Sequence, residues 1–151
     1  MPPVSRTSTA TPEQVFRVLS APPTYAYWVV GSRSVESHDP AWPAPGTRFE
    51  HTQGVRPALI HDETESVASD PPHRLELIAK ARPVLVARVV VIAQPSGTGT
   101  RMAMEEQALE GLAAPLLRTP PGKLLTQLRN RVSLRRLSRL AEAVAAMPQE
   151  L

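Results

Sequence analysis

Residues 123–147 read KLLTQLRNRVSLRRLSRLAEAVAAM. The stretch holds no proline and no glycine, and Leu, Ala and Arg dominate it. It predicts one helix of about 25 residues, about 37 Å long at 1.5 Å per residue. Thr119-Pro120-Pro121 just before it has the chemistry of a cap and a first turn. Its apolar residues do not form one clean stripe. Leu124, Leu125, Leu128 and Val132 define one face, whereas Leu137, Leu140, Ala141 and Val144 define another, rotated by more than a quarter turn. Such a helix is expected to cross two environments, or to kink.

Upstream of it, from Gly31 to Ala108, the signals are those of strands. Short segments are separated by turn chemistry at Asp39-Pro40 through Pro45-Gly46, Gly54 to Pro57, Asp70-Pro71-Pro72, Arg82-Pro83 and Gln94 to Thr98. The strands expected are 31–38, 46–54, 59–68, 73–81, 84–94 and 99–108. Val84 to Ile92 is the most β-like run, with five valines and one isoleucine. The connections are short, so neighbours should pair as an antiparallel meander. Val4 to Ala10 suits a first strand. Thr11-Pro12-Glu13-Gln14 has the form of a capping box with proline at the first helical position, so a short helix over 12–20 follows. Ala21-Pro22-Pro23 stops it, and Thr24 to Val30 reads as a second helical turn running into a strand. Gly111 to Gly122 is a breaker-rich transition.

A curved antiparallel sheet needs something to fill its concave face, and only the C-terminal helix is long enough. The expectation is an α+β helix-grip fold: about seven strands wrapped around the long helix, two short helices after the first strand, and one domain over 1–151.

Composition narrows the function. The chain has 151 residues and no cysteine, which excludes a disulfide framework, a thiolate nucleophile and Cys-based metal sites. No apolar run approaches membrane-spanning length, and Met1 to Thr11 is too polar for a secretory signal. A soluble, cytoplasmic protein is expected. The net charge of +3 hides an asymmetry. Residues 118–139 carry seven bases and no acid, so the remainder sums to −4.

The ordered set of local motifs resembles a known family. Ala10-Thr11-Pro12-Glu13-Gln14-Val15-Phe16, Trp42-Pro43-Ala44-Pro45-Gly46-Thr47-Arg48-Phe49, Asp70-Pro71-Pro72, Gly99-Thr100-Arg101 and Arg129-Asn130-Arg131-Val132-Ser133-Leu134-Arg135-Arg136-Leu137 span nearly the whole chain. In this order they are similar to the START-like (SRPBCC) superfamily, and within it to bacterial polyketide cyclase/dehydrase-type proteins. The resemblance implies a helix-grip domain with an internal apolar pocket. It implies no reaction, because the family has no universal catalytic motif to carry over.

Enzyme motifs such as GxSxG, HExxH, GxGxxG and Walker A are absent from the sequence. His38, His51, His61 and His73 show no ligand spacing on any one strand, so neither a metal nor a cofactor is expected. The sharpest constellation is a hairpin. A turn centred on Arg56-Pro57 sets His51 opposite Asp62, Phe49 opposite Thr64 and Thr47 opposite Ser66. On a concave face, His51–Asp62 is an oriented imidazole able to take a proton. With a one-residue slip it is a surface ion pair. Glu106 is the second candidate: Met102, Met104 and Glu106 alternate inward on the last strand, where burial would make Glu106 an acid. The alternative is a strand-end carboxylate paired with an arginine. Trp28 and Trp42 are read as core or pocket-lip aromatics, and Met102 and Met104 as core or an adaptable apolar lining. Leu124, Leu128 and Leu125 would supply the helix side of that lining.

The leading expectation is binding of a hydrophobic small molecule between sheet and helix, oriented by His51, Asp62 and Glu106. Polyketide cyclase or dehydrase chemistry with those same groups is the alternative, and an interaction module using the basic helix is the third. Nucleic acid is not the expected partner, because no aromatics interleave with the bases. Contact with an anionic membrane is expected to be transient at most, and a homodimer is left open.

Overall fold

The computed structural model describes residues 3–55 and 58–146. The chain runs β1 (Val4–Ser8), α1 (Pro12–Leu19), a 3-10 turn (Pro22–Thr24), α2 (Tyr25–Trp28), β2 (Ser32–His38), β3 (Arg48–Val55), β4 (Ala58–Asp70), β5 (Arg74–Ala81), β6 (Leu85–Ser96), β7 (Gly99–Glu110), α3 (Ala114–Leu117) and α4 (Pro120–Ala146). The seven strands form one antiparallel sheet in the order β1-β7-β6-β5-β4-β3-β2. The sheet curves around α4, giving the helix-grip α+β architecture. The turn at Arg56-Pro57 and the helix end near Met147 lie outside the described residues.

Local chemistry explains the helix starts. Thr11 Oγ1 accepts from the Gln14 backbone N–H, and Gln14 Oε1 accepts from the Thr11 backbone N–H, closing the capping box that starts α1. The segment 111–122 is more ordered than its breakers imply. It forms the one-turn α3, against which α4 turns tightly. A Cβ at Gly122 would collide with the Leu116 carbonyl, so only glycine fits.

One side of the concave face is filled. Val15, Leu19, Tyr25, Trp42, Phe49, Leu75, Val91 and Met102 join Leu134, Leu137 and Ala141 of α4 in a single buried cluster. Trp42 stacks edge-on against Phe49 and donates its indole N–H to the Leu19 carbonyl at 3.0 Å. Phe49 is enclosed at 1% exposure and Met102 at 0%.

The expected change of face along α4 does not occur. Gly122, Thr126, Asn130, Ser133, Leu137 and Ala141 are all buried, and they recur at helical spacing as one continuous stripe. Leu124, Leu125 and Leu128 are 54%, 63% and 47% exposed and point away from the sheet. The expectation failed in the first half, where it assigned the buried face by hydrophobicity; in the second half Leu137 and Ala141 are buried, with Leu140 and Val144 packed beside them. In the first half of α4 the inward positions are small or polar.

Candidate functional site

Beyond the filled core the sheet and α4 leave a cavity. The register shows why. Asp62, Thr64, Ala79 and Ala87 fall on inward positions of adjacent strands, with Thr64 paired to Ala79 and Ala79 to Ala87. Two alanines at the centre of the sheet leave a hollow that Leu or Phe would fill. Asn130 and Ser133 face it from α4, and both are too short to reach across. The cavity is about 100 Å³ and is partly open to solvent.

Most of the wall is apolar: Tyr25, Trp28, Val29, Leu77, Leu85, Val89 and Met104 contribute with the two alanines. The Tyr25 hydroxyl donates to the Leu19 carbonyl at 2.8 Å. Burial pushes its phenol well above the ordinary value, so it stays neutral. Trp28 is 2% exposed, and its indole N–H meets no partner among the described residues. An orphaned buried donor costs about 1–3 kcal/mol, which a ligand or water oxygen in reach would recover.

The polar groups form two clusters. In the first, His51 faces Asp62 in the β3–β4 register, as the hairpin predicts. Both are 3% exposed and line the cavity. His51 Nε2 lies 3.5 Å from Asp62 Oδ2 and 3.2 Å from Thr64 Oγ1, and Nδ1 lies 3.0 Å from Ser32 Oγ. Asp62 also accepts from the Gln53 amide and from the Lys80 backbone N–H, the latter at 2.9 Å. Every hydrogen-bonding atom of the pair is therefore engaged by the protein.

The second cluster is Glu106 with Arg129. Glu106 is inward and buried, and Arg129 Nη2 donates to both its carboxylate oxygens. Glu106 thus lines the cavity and is at the same time paired with an arginine. Glu106 also borders a surface groove formed with Leu117, Arg118 and Lys123, so the pair stands between cavity and surface. Among the described residues, β1 pairs with β7 from Val4, opposite Met104, to Ser8, opposite Thr100.

Of the ligand-facing residues expected from sequence, Trp28, His51, Asp62, Met104 and Glu106 line the cavity. Trp42, Phe49 and Met102 do not; they belong to the adjoining core. Leu124 and Leu128, with Leu125, face solvent instead of the cavity. Arg129, Asn130 and Ser133 take their place on the helix side. No hydrophobicity criterion finds these three, but the spacing Gly122, Thr126, Asn130, Ser133, Leu137 traces the buried stripe. No cluster of three or more His, Asp or Glu side chains that could hold a metal ion occurs among the described residues.

Residues 3–144 match the model of the family described as polyketide cyclase/dehydrase and lipid transport. The chain belongs to this family. Solved structures share its fold. Protein CV1439 from Chromobacterium violaceum is 17% identical, with 92% of this chain and 95% of that one covered and a TM-score of 0.70. The di-domain ARO/CYC BexL from the BE-7585A biosynthetic pathway is 15% identical over 97% of this chain and 50% of its own, with a TM-score of 0.68. Ara h 8.0201 is 11% identical, with 93% and 96% covered and a TM-score of 0.69. No curated protein matches the sequence significantly. At these identities the likeness fixes the family's fold around the cavity and nothing finer. Among the described residues, no helix is long and apolar enough to cross a membrane.

Proposed function

We propose that the protein binds an apolar small molecule of the lipid or polyketide class in the cavity between sheet and α4. The observation that carries this reading is the hollow itself: two central alanines and a short-chain helix stripe leave apolar walls with nothing between them. Burying the ligand's apolar surface would supply affinity at about 25 cal/mol per Å². The unpartnered Trp28 N–H, with Asn130 and Ser133, would orient its polar atoms. His51 and Asp62 hold the polar wall in one arrangement. Native mass spectrometry of freshly purified protein tests this: a bound small molecule, released on denaturation and rich in carbon and hydrogen, supports it. An empty protein that takes up no lipid or polyaromatic compound refutes it.

A second reading is proton-transfer chemistry of the cyclase/dehydrase kind. It is favoured by one observation: a buried imidazole with a carboxylate 3.5 Å from its Nε2 lines the cavity. Both ring nitrogens are already engaged, by Ser32 and by Thr64 with Asp62. His51 would therefore have to exchange a hydroxyl partner for the substrate before accepting its proton. For that reason binding ranks first. Incubation with a synthetic poly-β-ketone thioester decides between them: dehydrated cyclic product lost in His51→Gln supports catalysis, and recovery of unchanged ligand supports binding alone.

A further inference from the structure

The cavity uses the inner face of α4. The outer face carries a different pattern. Leu124, Leu128, Arg131, Arg135 and Arg139 follow one another at steps of four, three, four and four, so they form one stripe about 22 Å long on the solvent side. Its first half is apolar and its second half cationic. Beside the apolar half, Leu125 is 63% exposed, and Leu116 and Leu112 of the α3 segment are 69% and 79% exposed. Beside the cationic half, Arg6 of β1 joins Arg131, Arg135 and Arg139 around an open cleft. None of these four arginines makes an ion pair among the described residues. No acid occurs between residues 111 and 141.

Exposed leucines and a cluster of like-charged arginines without carboxylate partners among the described residues share one surface here. From this surface we infer that the outer face of α4, with α3 and Arg6, is a docking site for an anionic phospholipid bilayer. The leucines enter the headgroup–acyl boundary, and the arginine cleft takes lipid phosphates and carboxylates. A second copy of the chain fits poorly, because a symmetric contact through this face would oppose two acid-free basic segments. Nucleic acid fits poorly as well. The apolar half of the stripe has nothing to gain from a phosphate backbone, and no aromatic side chain lies on the stripe to stack on bases. The inference does not depend on the ligand reading, since the cavity lies on the opposite side of the helix.

Cosedimentation of the whole protein with vesicles tests it. One set is phosphatidylcholine alone, and the other has phosphatidylserine as about a third of the lipid. Binding to the anionic set, with at least a ten-fold preference over the neutral set, is expected. Each of Arg131→Gln, Arg135→Gln and Arg139→Gln should weaken it by about five-fold. Leu124→Gln with Leu128→Gln should abolish binding at about 0.5 M salt, where charge attraction is screened and only insertion remains. These positions are exposed, so circular dichroism should be unchanged in every variant. No binding to the anionic vesicles overturns the proposal, as does equal binding to the neutral set. Binding insensitive to the leucine changes overturns it too. A concentration-dependent dimer dissociated by the leucine changes, or tighter binding to duplex DNA or RNA than to anionic vesicles, assigns the face to another partner and equally overturns it.

Discussion

Arg129 on α4 and Glu106 on β7 join the helix to the sheet where the cavity meets the surface, with Arg129 Nη2 donating to both oxygens of a buried carboxylate. The arginine side chain is 36% exposed and the glutamate 7%. The arginine can therefore swing into water, whereas the glutamate cannot follow it.

Breaking that pair should loosen the first half of α4 more than the second. Arg129→Met leaves Glu106 buried without its cation, at a cost of about 1–3 kcal/mol after allowing for the arginine's exposure. The double variant Arg129→Met/Glu106→Gln should lose less than the sum of the two single changes. Chemical denaturation of the four proteins checks this. Additive losses would show that the two residues do not act together.

The hollow should be closable from within. Ala87→Leu places an isobutyl group between Ala79 and the helix stripe, where there is space, so stability should change by less than about 1.5 kcal/mol. The ligand recovered from the wild-type protein should be absent. A large loss of stability would show that the hollow is smaller than described.

The two tryptophans should report on different places. Trp42 is locked in the core by its bond to the Leu19 carbonyl, and Trp28 lines the cavity. In Trp42→Phe, ligand uptake should shift or quench the remaining emission. In Trp28→Phe, the emission should barely respond. The reverse pattern would place the ligand elsewhere.

Acid should weaken the sheet at one identifiable point. Glu76 on β5 accepts from Arg88 on β6 and from Arg74, and these two guanidinium groups hold its carboxyl down to about 2, from an ordinary 4.5. The folded value lies below the unfolded one. The stabilisation is thus complete above about 4.5 and disappears as the pH falls through about 2. Glu76→Gln should lower Tm at pH 7, and its gap from wild type should close between those two values. A gap that persists at low pH would assign the effect to shape and not to charge.

Much of this was legible in the sequence. Strand limits followed from proline, glycine and aspartate breaks, and the breaks fixed the β3–β4 register that sets His51 against Asp62. Facing followed from alternation, which placed Met104 and Glu106 inward. The helix side was misread because Leu124, Leu125 and Leu128 look like a core face. Hydrophobicity marks burial only where the buried surface meets a filled core, and here the first half of the helix roofs a hollow. The polar and small residues Arg129, Asn130 and Ser133 form that roof, while Gly122 is set by its close approach to the α3 backbone. For Trp42 and Met102 the sequence left core and cavity lining open, and both, with Phe49, fall in the core: inward residues near a cavity need not touch it, and the curvature that assigns them depends on all seven strands at once.

Titration with the fluorescent apolar probe phenylnaphthylamine tests the central claim most directly. The account predicts saturable binding at one site in the wild-type protein. That binding should be lost in Ala87→Leu and kept in Leu124→Gln, whose side chain lies outside the cavity. Absence of saturable binding in the wild type, or equal binding in Ala87→Leu, would contradict it.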